Sequence, residues 1–242
     1  MILEPPFTYP EQLPGLMRRQ GYAMLSPRAV CDLAGCGIEE LNSLRPSWDD
    51  LAPDAYLKDS GHYRRRRHSC FVAEGGNVSQ APHRAHWQPV EYNALHGGME
   101  RWFEPMEPAI VHAPSWNKLL VAMGEVSSDL KGEKPWFVEA HQFRIDTDGG
   151  IGRPTPEGAH RDGVDVVGVF LVGREAIKGG ETRVFEAAGP TGQRFTLTEP
   201  WSLLLLDDER VIHETTPIQP LGAHGYRDTL VLTYRAGGFQ GG

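Results

Sequence analysis

Apolar and polar positions follow helical spacing in the first half of the chain and shorter runs in the second half. Helical spacing predicts helices at residues 13–20, 99–103 and 116–130, and prolines separate the last two. The run Tyr22–Leu25 predicts a short strand, and the Ser26-Pro27 pair that follows is typical of a helix start. The first half is therefore predicted to consist of helices joined by short extended segments.

Two further segments of the first half are predicted to be extended or irregular. Residues 62–72 (HYRRRRHSCFV) have the composition of a strand. Residues 74–98 are rich in Gly, Pro and Asn, which predicts irregular structure around His83, His86 and Trp87. Because long functional loops often cover active sites, this segment is a candidate lid, although core packing explains Trp87 equally well.

After Gly132 the chain consists of short β-branched or aromatic runs bounded by Gly, Pro or Asp. The predicted strands cover residues 136–145, 164–172, 181–185, 193–196, 202–206 and 229–234. Short strands at close spacing are typical of a β-sandwich or barrel. With the helices in front, they predict a mainly β fold with flanking helices, built on a double-stranded β-helix (jelly roll, cupin-like) core.

The chain shows no repeat and no boundary, which favours a single domain over residues 1–242. Within it, residues 1–131 are expected to provide helical support and strand or lid segments. Residues 132–242 are expected to form the jelly-roll core and to carry the metal site.

Composition and charge exclude several classes of function. The formal net charge of −8 argues against a general nucleic-acid or anionic-membrane binder, since phosphate affinity needs clustered Lys and Arg. Three cysteines without a CxxC give no disulfide framework, and prolines interrupt the amino-terminal region where a signal peptide needs an apolar run. We therefore expect a cytoplasmic protein that binds neither membranes nor nucleic acids and acts on a small molecule.

Two histidines and one aspartate form a candidate metal site. His160 and Asp162 are two residues apart, so on an extended edge both side chains point to the same face. They follow a Gly/Pro-rich loop and precede an apolar strand, while His213 follows the buried run 202–206 and a turn. Two imidazoles and one carboxylate are the minimal ligand set of a mononuclear non-haem Fe(II) site with open coordination positions.

An arginine beyond the third ligand is a candidate anchor for a dicarboxylic co-substrate. Arg227 begins the run RDTLVLTYRA, and Thr229 shares its face of the predicted strand, opposite Leu230 and Leu232. A guanidinium and a hydroxyl on one face suit the distal carboxylate of 2-oxoglutarate. The alternatives are that Arg227 pairs with Asp228 or Glu214, or that Arg235 is the anchor.

The substrate-binding residues are less clearly marked. Gln142 and Arg144 alternate on the predicted strand VEAHQFRI and could both face the barrel mouth, with His141 and Phe143 facing away. The alternative is that Arg144 pairs with Asp146 or Asp148. The run of four arginines at residues 64–67 splits between two strand faces, which favours solvated or ion-paired side chains over a substrate contact.

The segments HQFRI, PTPEGAHRDG, GGET, LLLLDDERVIHETTP and YRDTLVLTYRAGG resemble a known family. It is the bacterial 2-oxoglutarate/Fe(II) dioxygenase family that includes L-isoleucine dioxygenase, a hydroxylase of free aliphatic amino acids. YRRRRHSCF and YNALHGG extend the resemblance into the first half. The resemblance implies a jelly-roll fold with His160, Asp162 and His213 as iron ligands and Arg227 as the 2-oxoglutarate anchor. Because the carboxylate of Asp162 is present, the halogenase variant is disfavoured.

The resemblance also implies an activity. It is the Fe(II)-, 2-oxoglutarate- and O2-dependent hydroxylation of an unactivated C–H bond in a free L-amino acid similar to isoleucine, leucine or methionine, with release of succinate and CO2. The alternatives are the same chemistry on a biosynthetic intermediate or a peptide side chain, and a non-oxygenase metal cupin. A peptide hydroxylase would need a long open groove, and a cupin that does not use 2-oxoglutarate has no need for the Arg227-x-Thr229 pair.

Overall fold

The computed structural model of the protein describes residues 2–57, 62–93, 95 and 97–241, so Ala94 and His96 of the segment predicted to be irregular lie outside the described residues. The helices are α1 (Leu13–Gln20), α2 (Pro27–Ala34), α3 (Ile38–Asn42), α4 (Pro108–Val111) and α5 (Pro114–Lys131), with 3-10 helices at Pro10–Gln12 and Arg45–Trp48. The strands are β1 (Phe7–Thr8), β2 (Tyr22–Leu25), β3 (Arg64–Glu74), β4 (Asn77–Gln80), β5 (Trp136–Asp146), β6 (Val166–Glu175), β7 (Ile177–Gly179), β8 (Thr182–Glu186), β9 (Gly192–Phe195), β10 (Leu203–Asp207), β11 (Val211–Thr215), β12 (Ile218–Pro220) and β13 (Tyr226–Ala236).

The strands form two opposed layers. The main sheet has the order β1-β2-β10-β6-β13-β5-β3-β4. The other layer consists of β11-β8-β9 and of the pair β12-β7, and isolated bridges join His160 to His213 and Gly152 to Ile218. This is the predicted jelly roll, and the predicted mainly β fold with flanking helices is confirmed. The main sheet draws β2, β3 and β4 from the first half of the chain, so that half contributes core strands as well as helices.

Strand β10 shows how the main sheet is buried on both faces. Leu203 and Leu205 belong to the apolar core between the sheet and the helices. Leu204 and Leu206 belong to the core between the two sheet layers. Burial on both faces explains why this strand is an unbroken apolar run, and each buried leucine stabilises the fold by about 1.5–3 kcal/mol.

The helices cover the outer face of the main sheet, mostly where they were predicted. Helices α1 and α5 and strand β2 are confirmed, and Ser26 begins α2, where its hydroxyl accepts a hydrogen bond from the Ala29 amide at 3.3 Å. The hydroxyl of Tyr234 on β13 donates to the Leu120 carbonyl on α5 at 2.8 Å, which ties this layer to the sheet. None of the helices that the structure describes is long and apolar enough to cross a membrane.

Two predictions for the first half are wrong. Residues 77–80, inside the segment predicted to be irregular, form β4 against the end of β3. Residues 99–103 are extended, because the Arg101 amide and carbonyl both hydrogen-bond to the backbone of His86, at 3.0 and 2.9 Å. The side chains of Arg101 and Phe103 are both buried, which is a two-residue repeat and not a helical one.

Candidate active site

One pocket between the two sheet layers contains the predicted metal and co-substrate residues. It encloses about 1210 Å³ of empty space, including its open mouth. Its floor is the inner face of β13 and β5, where Arg227, Thr229 and Val231 alternate with side chains that face the helices. His160, Asp162 and His213 lie on the wall opposite, and Phe239 and Gln240, near the carboxyl terminus, also line the pocket.

The three predicted metal ligands are brought together. His160 lies in an extended edge that pairs with His213 on β11, through backbone hydrogen bonds of 3.0 and 2.9 Å. The Nε2 atoms of His160 and His213 are 3.9 and 4.0 Å from the two carboxylate oxygens of Asp162. Ligands that each lie about 2.1 Å from one ion are at most about 4.2 Å apart, so each histidine nitrogen is close enough to share a first-row metal ion with a carboxylate oxygen of Asp162. One ligand atom from each of the three residues lies within 4.8 Å of the others.

The hydrogen bonds and charges around these residues also fit a divalent metal. His160 donates from Nδ1 to the Gly158 carbonyl at 3.0 Å, which leaves the lone pair on Nε2 facing Asp162. Burial, together with the negative charges of Asp208 and Glu157, raises the pKa of Asp162 to about 7 in spite of His160. The site therefore has more carboxylate charge than its protein neighbours compensate, and a bound cation would compensate it.

Asp208 holds the backbone that carries Asp162. Its Oδ1 accepts from the Asp162 amide at 2.9 Å, and its Oδ2 accepts from the amides of Gly163 and Val164 at 2.7 and 3.1 Å. Gly163 has φ +77°, and a Cβ there would lie 2.4 Å from the Tyr92 ring, so the turn requires glycine. The sequence marked Asp208 only as part of a turn.

We expect Asp208→Asn to weaken metal binding without unfolding the protein. Three backbone amides now donate to the two carboxylate oxygens of Asp208, and an asparagine has only one acceptor oxygen. The backbone at Asp162 therefore becomes less fixed. Changes in groups that orient ligands cost about 10- to 100-fold in metal affinity. Titration of the metal-free protein with Fe(II) or Co(II) measures this change.

Asp207→Asn is the matched control, because Asp207 pairs with Lys131 at 2.7 Å and does not touch the turn. Equal metal affinity in Asp208→Asn and the wild type, with unchanged melting of both variants, would contradict a positioning role for Asp208.

Arg227 is a buried cation without an acidic partner among the described residues. It is 4% exposed, its Nε makes no hydrogen bond, and it lines the pocket on the same face as Thr229, as predicted. Burial and the charge of Arg174, opposite it on β6, lower the pKa of Arg227 to about 10. An unpaired guanidinium in such a place is suited to a carboxylate ligand.

The alternatives considered for Arg227 involve groups that have other partners. Asp228 accepts from Arg144 at 2.7 Å, and Glu214 accepts from Arg183 at 3.2 Å. Arg235 also lines the pocket, but its guanidinium donates to the carbonyls of Gly238 and Phe239 at 2.6 and 3.3 Å. Arg235 therefore holds the end of the chain in place, and Arg227 remains available.

The predicted orientation of Gln142 and Arg144 is wrong. Gln142 is buried on the helix side of β5, where its amide donates to Ser47 Oγ at 2.7 Å. Arg144 donates to Asp228 and Asp49 on that same side. The inner face of β5 carries the other set of side chains, including His141 and Phe143. The alternation of side chains along β5 was predicted correctly, but the side chains that face the pocket were not. Phe143 stands opposite Thr229, whose side chain faces the pocket, so Phe143 and His141 are on the inner face of β5.

Three arginines in the pocket were not predicted as site residues. Arg64 and Arg66 lie on the inner face of β3 and are buried, so they are not solvated. Both are ion-paired with Asp54, at 2.7 and 3.9 Å, which is the other of the two expected arrangements. Arg101 is 2% exposed and has no acidic group within 4.0 Å among the described residues. It donates to Gln88 Oε1 at 2.9 Å, and Gln88 in turn lies 3.5 Å from Asp162 Oδ1.

The candidate lid forms part of the pocket wall together with the end of the chain. His86 lines the pocket, whereas His83 hydrogen-bonds to the Phe103 carbonyl at 2.9 Å outside it. Arg84 donates to the Gly241 carbonyl at 2.7 Å, and Gly241 packs closely against Trp87. These contacts join the segment that carries His86 to the end of the chain, where Gln240 donates to the carbonyls of Asp162 and Gly163 at 3.1 and 2.6 Å.

Comparisons with known proteins found a matching family model and similar solved structures. Residues 45–233, more than half of the chain, match the 2OG-Fe dioxygenase family model. The crystal structure of a BsmA homolog from Methylobium petroleophilum PM1 is 55% identical, with 97% of this chain and 96% of that chain covered and a TM-score of 0.93. No curated protein matches significantly.

Two more distant structures share the fold. IDO from Bacillus thuringiensis is 17% identical, with 96% of both chains covered and a TM-score of 0.76. The Fe(II)/(alpha)ketoglutarate-dependent dioxygenase TqaL is 18% identical, with 93% of this chain and 86% of that chain covered and a TM-score of 0.71. At these identities the likeness concerns the fold alone.

Proposed function

Since the chain belongs to the 2OG-Fe dioxygenase family, we propose that it hydroxylates an unactivated C–H bond of a free L-amino acid with an aliphatic side chain. Fe(II), 2-oxoglutarate and O2 are the metal and co-substrates of this family. His160, Asp162 and His213 would hold the iron. When bound, the iron and 2-oxoglutarate supply the oxidising chemistry that inserts one oxygen into the substrate and releases succinate and CO2.

Arg227 and Thr229 would bind the distal carboxylate of 2-oxoglutarate. Arg227 offers a planar pair of donors, and Thr229 adds a hydroxyl on the same inner face of β13. Because both side chains are buried, their hydrogen bonds to a carboxylate would be exchanged little with water. This fixes the co-substrate relative to the metal residues.

The observation that carries the amino-acid proposal is the second buried arginine without an acidic partner, Arg101. A buried guanidinium is stabilised by an anion that enters the pocket with the ligand. Arg101 donates to Gln88, which lies 3.5 Å from Asp162 Oδ1, and this supports a position for such an anion near the metal residues. A free amino acid has an α-carboxylate for Arg101, whereas an internal peptide residue has none.

The apolar part of the same pocket suits an aliphatic side chain. Phe137 and Phe143 project from the inner face of β5, and Phe239 contacts Phe137 with ring centroids 5.1 Å apart. Because His86, Phe239 and Gln240 form part of the pocket wall, we expect the pocket to accommodate a small molecule better than an extended peptide.

Aerobic incubation with Fe(II), ascorbate, 2-oxoglutarate and the twenty free L-amino acids tests the proposal. We expect one aliphatic amino acid or methionine to gain one oxygen atom, in equal amount with succinate. Dipeptides with that amino acid as the first residue should be poor substrates, because its α-carboxyl group is then part of the peptide bond and no longer a free carboxylate for Arg101. Products are measured by mass spectrometry against the His160→Ala variant.

Variants of the arginines separate binding of the amino acid from binding of the co-substrate. Arg101→Gln should raise the KM for the amino acid and leave the KM for 2-oxoglutarate nearly unchanged. Arg65→Gln, on the outer face of β3, is the control. Succinate formation without any oxidised amino acid would keep the oxygenase and reject the free amino acid as its substrate.

A further inference from the structure

A buried carboxylate at the floor of the pocket is surrounded by three imidazoles. Glu139 lies on the inner face of β5 and is 6% exposed. Its Oε2 is 3.1 Å from Nε2 of His68, 2.5 Å from Nδ1 of His86 and 3.7 Å from Nε2 of His141. None of these four residues belongs to the metal set or to the proposed 2-oxoglutarate anchor.

The hydrogen bonds fix the proton positions on the imidazoles. The guanidinium of Arg66 has only hydrogen-bond donors, and it donates from Nη2 to Nδ1 of His141 at 2.7 Å. The proton of His141 is therefore on Nε2, which points towards Glu139. Arg66 itself is held between the rings of Phe103 and Phe143, 3.7 and 4.4 Å from their centroids, so this arrangement is rigid.

The cluster carries a net negative charge at neutral pH. Burial lowers the pKa of His86 to about 4 and also lowers the pKa of His68 and of His141, so the imidazoles are neutral. Burial alone would raise the pKa of Glu139, but its electrostatic interactions and hydrogen bonds with His86 and His68 outweigh burial and hold that pKa below its ordinary value. Glu139 is thus an ionised carboxylate that donors keep in place.

The four side chains also have the atom types of a metal site, since their ligand atoms all lie within 4.8 Å of one another. A metal ion would need the Nε2 lone pair of His141, and the donation from Arg66 puts a proton there. The cluster is therefore better described as a carboxylate held by N–H donors than as a second metal centre.

The other carboxylate oxygen of Glu139 is available to a ligand in the pocket. All the contacts with imidazole involve Oε2, and Oε1 takes part in no hydrogen bond to the described residues, although Glu139 lines the pocket. Arg101 lines the same pocket. Burial lowers the pKa of Arg101, and the negative charge of Glu139 partly offsets this effect. One pocket thus presents a fixed anion and an unpaired cation to the same ligand.

We propose that Glu139 binds the ammonium group of the substrate through Oε1, while hydrogen bonds from His68 and His86 hold its carboxylate in position. This inference rests on the proposed function and gives its substrate a second recognition point. Arg101 binds the α-carboxylate and Glu139 binds the α-ammonium, so the site selects the zwitterionic head group of an amino acid. The same molecule with a hydroxyl in place of the ammonium lacks the charge for Glu139.

Binding to the Fe(II)- and 2-oxoglutarate-loaded protein without oxygen tests the inference. The probes are L-isoleucine, L-leucine and L-methionine, each compared by calorimetry with its 2-hydroxy acid analogue. We expect the wild type to prefer the amino acid, and Glu139→Gln to weaken amino-acid binding by about 10- to 100-fold while binding of the hydroxy acid changes little. Glu104→Gln, an exposed acid paired with Arg67, is the matched control.

The second variant, Glu139→Asp, keeps the charge and moves it by one methylene. It should lose less affinity for the amino acid than Glu139→Gln, and both variants should keep the wild-type affinity for 2-oxoglutarate if they fold. The role of Glu139 would be overturned if both variants lost the same affinity for the amino acid. It would also be overturned if Glu139→Gln still bound the amino acid more tightly than its 2-hydroxy acid analogue.

The experiment separates failure of this inference from failure of the proposed function. If the wild type oxidises an amino acid and Glu139→Gln keeps its preference, only the inference fails. If no amino acid binds to the wild type or is oxidised by it, both fail. A second equivalent of metal in the wild type that is absent from Glu139→Gln would overturn the inference in favour of a second metal centre.

Discussion

Asp162→Ala should lower turnover by more than about a thousandfold, because a metal ion supplies several kcal/mol of catalysis and each 1.36 kcal/mol is a factor of ten. Asp162 contributes the carboxylate of the set, and its two oxygens face both imidazoles, at 3.9 and 4.0 Å. Without it, His160 and His213 are left as a two-ligand site for Fe(II). The metal content after dialysis measures the loss of metal binding, and succinate formation measures the loss of turnover.

The variant should lose metal and activity without losing its fold. The pKa of Asp162 in the metal-free protein is raised to about 7 by burial, which means that the folded state binds the proton more tightly than the unfolded state. The stability of the metal-free protein therefore falls as pH rises from the unfolded pKa through about 7. Removing the carboxylate removes that penalty, so metal-free Asp162→Ala should melt no lower than the metal-free wild type at pH 8.

Arg161→Ala is the control within the same tripeptide. The Arg161 side chain donates to the Glu209 carbonyl at 3.1 Å and does not line the active-site pocket. It should keep wild-type metal content and turnover. Asp162→Ala with full metal content and turnover would rule out this residue as a ligand, and a strongly lowered melting temperature would show that its role is structural.

The metal residues could be predicted because their signal is local. His160 and Asp162 are two residues apart between a Gly/Pro-rich loop and an apolar strand, and His213 follows a run of leucines that is buried in any β fold. The structure adds the long-range part, which is the bridge between His160 and His213. In the same way, Leu230 and Leu232 on the opposite face identified the inner face of β13 in advance.

Which side chains of β5 face the substrate side of the pocket depends on how β5 pairs with its neighbouring strands. The local pattern of residues in β5 does not reveal this pairing. Strand β5 has polar residues on both faces, so alternation alone did not distinguish Gln142 and Arg144 from Glu139 and His141. Pairing with β13 and β3 decides the matter, because Val231 and His68 both stand opposite His141. A strand with one apolar face, such as β13, reveals its orientation; β5 does not.

Arg101 shows a second kind of limit. Its neighbours have helical spacing of apolar residues, and a short helix was the local prediction. A backbone bridge to His86 makes the segment extended and turns the side chain of Arg101 into the pocket. Tertiary contacts therefore override a weak local preference at the position that matters for the substrate.

Arg227→Ala should raise the KM for 2-oxoglutarate by about 30-fold or more, since truncating one partner of a buried, hydrogen-bonded charge pair costs about 2–5 kcal/mol. Arg227 has no acidic partner among the described residues and no hydrogen bond at Nε, so its charge is available to the co-substrate. Arg227→Lys keeps the charge but loses the planar pair of donors, so it should lie between the alanine variant and the wild type. Steady-state kinetics and calorimetric titration with 2-oxoglutarate measure the effect.

A co-substrate without the distal carboxylate tells whether Arg227 acts through that group. The wild type should bind 2-oxoglutarate far more tightly than pyruvate, which has the same 2-oxo acid but no second carboxylate. Arg227→Ala should lose most of this difference, because only 2-oxoglutarate loses a contact. Arg235→Ala should keep the difference, since Arg235 donates to the carbonyls of Gly238 and Phe239. If Arg235→Ala loses the discrimination and Arg227→Ala keeps it, the anchor is Arg235. The co-substrate then binds at the opposite end of β13.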